Sequence, residues 1–174
     1  MMFSKKIRFF IIIILMLAAV SVVMVISKKP KPSVEEVHYH AGFKVFVDGQ
    51  LQDYSGSKFM YIKPCTADNS KEIKDEQMEK AHLHDGVGDV VHVEHQGSIW
   101  RDLFKNINVS FDSEKPLHAF TNSGDKIADI LIQPIEPDQS IVIVVGDEID
   151  SQTITKNAVT PEHIKTTGEK SETC

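Results

Sequence analysis

The stretch VHYHAGFKVFV at residues 37–47 constrains the fold more than any other part of the chain. Val37, Tyr39, Ala41, Phe43, Val45 and Val47 recur at every second position. Side chains alternate across a β-strand, so this row makes one apolar face, and His38 and His40 point together from the other. Asp48-Gly49 follows as a hairpin signal, which predicts a returning strand near Leu51. A chain that begins its folded part this way needs a sheet, and a layer of side chains to cover the apolar face.

The rest of residues 37–149 reads in the same terms. KFMYIK, DVVHVEH, NVSFD, LHAFTN, KIADILIQ and SIVIVVGDE are predicted strands. SKEIKDEQMEKA predicts a charged helix with Ile73, Met78 and Ala81 as a thin apolar stripe. SIWRDLFKNI predicts a short amphipathic helix with Ser98 as its cap and Ile99, Leu103 and Ile107 four apart. Trp100, at the start of that helix, is expected to pack. The fold class is therefore α+β, mainly β-sheet with one or two short helices. Residues 37–47, 90–95, 127–132 and 141–145 are expected in the sheet. The ending FTNSGDKIADILIQPIEPDQSIVIVVGD has the strand, polar connection and buried last strand of a β-grasp-like domain.

Outside this domain the composition changes. Phe9 to Ile26 is an uncharged apolar run of 18 residues behind Lys5, Lys6 and Arg8, just long enough to span a bilayer as a helix. We read residues 1–8 as a basic cytoplasmic head and 9–26 as an uncleaved signal anchor. Cleavage after Ala19-Val20-Ser21 is the competing reading. Lys28, Lys29 and Lys31 balance the charge across the run. The shortness of the head favours a single pass with residues 32 onward outside the cell. Residues 27–36 form a linker, and the polar residues 150–174 read as a loose tail.

Charge and cysteines narrow the partners. Residues beyond 31 keep 13 of the 19 basic side chains against all 25 acidic ones, a formal net of −12. Such a domain is soluble and has no electrostatic grip on nucleic acid. Its membrane contact is expected through residues 9–26 alone, and no protein partner is indicated. Cys65 and Cys174 either pair or stay free, and neither stands in a CxxC.

HYHAGFKVFVDGQ, HLHDGVGDVVHVEH and SIWRDLFKNI together resemble a little-characterised family of small exported or membrane-anchored His-rich domains from archaea and uncultivated bacteria. The resemblance covers about residues 38–146. It implies an HxHA-initiated strand, an HLHD segment, a histidine-bearing strand and a short aromatic helix. It brings no activity with it.

The histidines carry the chemistry. Six of the eight fall in residues 38–95. His38 and His40 share a face, as do His82 and His84 if that segment is extended; His92 shares one with Glu94. Neutral imidazole binds divalent transition metals without help from thiolate. The candidate ligands are His40, His84 and His92, then His38 and His82. A turn at Gly86–Gly88 is expected to bring His84 and His92 opposite one another. Asp85, Asp89 and Glu94 are candidates for a carboxylate ligand or for a hydrogen bond that orients an imidazole. His95 lies with Val91 and Val93 and reads as core, His118 as a strand residue, and His163 as irrelevant.

These readings lead to a membrane-anchored extracytoplasmic domain that binds a divalent transition metal, zinc or copper. A His-ligated, cupin-like metalloenzyme and a metal-free interaction domain are the alternatives, and a pH-sensing role for the histidines is another. The cupin pattern lacks its glycine framing and has aspartate where glutamate is preferred. No serine nucleophile elbow, P-loop or dinucleotide motif is present.

Overall fold

The computed structural model of the protein describes residues 36–62 and 75–170. The anchor, most of the linker, Cys65, Cys174 and the first five residues of the charged segment at 70–81 lie outside the described residues. Those described form an α+β domain around one mixed six-stranded sheet.

Strand β1, Glu36–Val47, is the longest strand. It turns through Asp48 and Gly49, both at positive φ, into the two-residue β2, Gln50–Leu51. Strand β3, Val90–His95, runs antiparallel to the first half of β1. Strand β6, Ser140–Val145, runs parallel to the second half. The Gly42 amide donates to Gln139 O and the next amide, Phe43, donates to Asp89 O. Successive strand amides point to opposite edges, so β2 and β3 share one edge of β1 and β6 takes the other. Beyond β6 come β4, Leu117–Thr121, and β5, Lys126–Ile127.

The predicted alternation of β1 holds. Ala41, Phe43 and Val45 are buried with Val91, Val93, Ala119, Ile141 and Ile143 under helix α1, Trp100–Asn106. Trp100 is fully buried, 6.0 Å from Phe43 between ring centres. All six residues of β6 are buried. An uninterrupted SIVIVV run suits a strand covered on both faces.

The second cover comes from residues read from the sequence as a loose tail, and that reading is corrected. Ser151–Asn157 form helix α2, capped by the Asp150 carboxylate accepting from the Thr153 amide. Pro161–Gly168 form helix α3, capped by Thr160 with Pro at its start. Ile154 packs on Phe46, Val142 and Val144, while Val159 and Ile164 pack on Val90. Gly42 makes this possible, since a Cβ there would stand 2.5 Å from the Val159 Cβ.

Other expectations shift locally. Residues 127–132 do not extend as a strand: Asp129 adopts φ 48°, which ends β5, and Ile130–Ile132 make a 3-10 turn. NVSFD forms no strand, because Asn108 takes φ 54°. In KFMYIK, Ser57–Phe59 are a 3-10 turn and Met60 makes a single parallel bridge to Leu83. The described end of SKEIKDEQMEKA is a 3-10 turn at Met78–Lys80. Ser98 does not cap α1: its hydroxyl donates to His95 O, and the Asp102 carboxylate accepts the Ile99 amide instead.

Candidate metal centre

The non-core face of β1 and β3 carries a row of imidazoles. His40 is the register partner of His92. On the far side of β3, His82 forms an antiparallel bridge with the same His92, through His82 N–H to His92 O and His92 N–H to His82 O at 3.0 and 2.9 Å. Directly opposed residues share a face and put their side chains about 5 Å apart. His40, His92 and His82 therefore form one cross-strand row. His38 and His84 each lie two residues along their own segment, again on the same face. Ring centres measured from His92 are 4.4 Å to His38, 4.6 Å to His40, 4.8 Å to His82 and 5.1 Å to His84. His38 and His40 are 5.4 Å apart.

The expected turn is present around Gly86, but the register across it differs by two residues from the expected one. Asp85 and Gly86 take positive φ, and Val87 N–H bonds to His84 O. This makes His82, not His84, the cross-strand partner of His92. His84 stays in the cluster as a neighbour of His92 and His40.

Three members already converge. His38, His40 and His92 each offer a ring nitrogen, and these atoms all lie within 4.8 Å of one another. His92 Nε2 and His38 Nδ1 are hydrogen-bonded at 3.2 Å, so one carries the shared proton and the other accepts it. Moving that proton to the opposite nitrogen of its ring turns both lone pairs toward the same space. His38 is exposed, His40 half-buried and His92 fully buried, which gives the group an open side.

The electrostatics favour a neutral ring at His92. Burial, followed by the proximity of His82, His40, His38 and His84, pushes the His92 pKa down to about 2. A neutral imidazole is the form that ligates a metal, so His92 needs no deprotonation near neutral pH.

Two further rings are oriented by fixed acceptors. His82 Nδ1 is 3.0 Å from Met78 O, and His84 Nδ1 is 2.8 Å from an Asp85 carboxylate oxygen. Asp85 thus plays the orienting part considered for it. Asp89 instead binds Lys44 Nζ at 2.8 Å and His163 Nε2 at 3.0 Å. His163 ties α3 to the loop before β3, a structural role that the tail reading hid. His95 is on the core side, 3.4 Å from the buried Glu79 carboxylate, and His118 is 3.5 Å from Glu148. Neither joins the cluster.

Sequence reasoning missed Gly168. A Cβ at that position would stand 2.7 Å from His40 Nδ1, so the last residue of α3 lays bare backbone against the cluster. Nothing local in a polar C-terminal segment signals such a contact. Comparison with known proteins finds no matching family model, no matching curated protein and no matching solved structure.

Proposed function

We propose that this protein is a membrane-anchored, extracytoplasmic domain that binds a divalent transition metal, zinc or copper, through His38, His40 and His92. The observation that carries the reading is the convergence of three imidazole donors within 4.8 Å on one sheet face. A buried imidazole held neutral beside two others is poorly suited to protonation and well suited to a cation that takes lone pairs. The apolar run at residues 9–26 supports the anchor, and the acidic remainder supports a soluble domain beyond it. A β-grasp architecture is supported by the parallel pairing of first and last strands at the sheet centre, with α1 across one face. Kinship with the His-rich exported family rests on the quoted motifs.

The test is metal content of the full chain, purified in detergent without a polyhistidine tag and dialysed against zinc or copper. One ion per chain is expected at neutral pH, with stoichiometric uptake lost in His40→Ala and His92→Ala variants that still melt cooperatively. Failure of the natural chain to take up either ion removes the metal reading and leaves a metal-free interaction domain.

A further inference from the structure

We infer that His82 and His84 also ligate, so that the centre offers four or five imidazoles to one copper(II) ion and leaves no position open to water. This rests on the proposed metal site at His38, His40 and His92.

The first support is the protonation pattern of the two rings. A backbone carbonyl and a carboxylate accept hydrogen bonds and do not donate them. His82 Nδ1 therefore carries a proton, given to Met78 O, and His84 Nδ1 carries one given to Asp85. Each neutral ring then holds its lone pair on Nε2. A hydrogen bond from the non-ligating nitrogen to a carbonyl or carboxylate is how proteins orient metal-bound histidines.

The second support is spacing. Two imidazoles on one ion, each with nitrogen at about 2.0 Å, have ring centres roughly 4.5–6.5 Å apart. His84 lies 5.1 Å from His92 and 5.9 Å from His40; His82 lies 4.8 Å from His92 and 5.9 Å from His84. Each of these four pairs falls in the span that a shared ion allows. The triad's donors are closest together; His84, beside both His92 and His40, is the fourth ligand, and His82, beside His92 and His84, the fifth. His82 and His84 are 1% and 8% exposed, so the added rings close the buried side of the site.

The donor set selects the ion. Five imidazoles supply nitrogen alone, and Asp85 is already engaged with His84. At nitrogen donors copper(II) binds more tightly than zinc, and copper tolerates four or five of them in tetragonal arrangements. A three-histidine zinc site keeps an open position for water chemistry. A centre filled by imidazole is instead built to hold or pass on its ion.

The test uses the full, tag-free chain loaded with one equivalent of copper(II). Electron paramagnetic resonance, with nitrogen and deuterium couplings recorded in D2O, should show at least four nitrogen ligands and no exchangeable water on the copper. The His82→Ala/His84→Ala pair should lose about 10- to 100-fold in copper affinity, retain binding at the triad and gain a water coupling. Asp85→Asn, at an exposed backbone position, should weaken copper by about 10-fold through loss of the orienting acceptor. Three nitrogens plus water in the natural chain, or an unchanged spectrum and affinity in the double variant, would overturn this inference and leave the triad site standing. No copper uptake by the natural chain would remove the triad reading itself.

Discussion

Replacing His92 by leucine separates the imidazole's contribution to acid sensitivity from everything else in the domain. The ring is fully buried and its pKa lies near 2, against about 6.5 in an unfolded chain. Below pH 6.5 the unfolded state binds a proton at this position and the folded state does not. Stability therefore falls as pH drops, by about 1.4 kcal/mol per unit, until the folded pKa is reached. Between pH 6.5 and 4.5 the loss from His92 alone is about 3 kcal/mol. For a domain of this size that is a fall in Tm of roughly 10 °C. Thermal melts of metal-free natural and His92→Leu chains, at half-unit intervals from pH 7.5 to 4.5, measure the difference. Carboxylates with depressed pKa, such as Asp89 held by Lys44 and His163, act equally in both chains and cancel. The leucine variant should lose much less stability toward acid, and the two curves should converge or cross. Parallel curves would refute the argument that a neutral buried ring at 92 resists protonation.

Three other outcomes follow from the same geometry. His95→Ala should leave metal uptake unchanged yet cost about 2 kcal/mol in denaturant unfolding, because it leaves a cavity at a buried ring and removes the neighbour of the Glu79 carboxylate. Gly168→Val should reduce metal affinity by about 10-fold in titration calorimetry, since the added carbons meet His40 Nδ1, a loss comparable to removing an orienting neighbour. Protease added to intact cells should digest residues beyond 32 if the run at 9–26 anchors them outside, and complete protection would reverse that topology.

What could be read from the sequence was governed by how local its causes are. The β1 alternation follows from periodicity two, the Asp48-Gly49 turn from residues that tolerate positive φ, and β3 and β6 from short valine-rich runs, and all appear as expected. The same periodicity put His38 and His40 together. Pairing registers depend on distant residues, which is why His82 took the place expected of His84 opposite His92. Left-handed backbone at Asp129 and Asn108 ended strands that hydropathy alone would have extended. Helices α2 and α3 were hidden because three buried anchors, Ile154, Val159 and Ile164, are spread through an otherwise polar segment. Their stability comes from the groove over Gly42 and Val90, more than a hundred residues earlier in sequence for Val159 against Gly42.

X-ray absorption at the metal edge of the loaded, tag-free chain tests the metal centre most directly. A shell of nitrogen at about 2.0 Å, with the outer-shell scattering of imidazole and no sulfur, is expected. A shell of oxygen alone, without imidazole scattering, or a sulfur shell near 2.3 Å would contradict it.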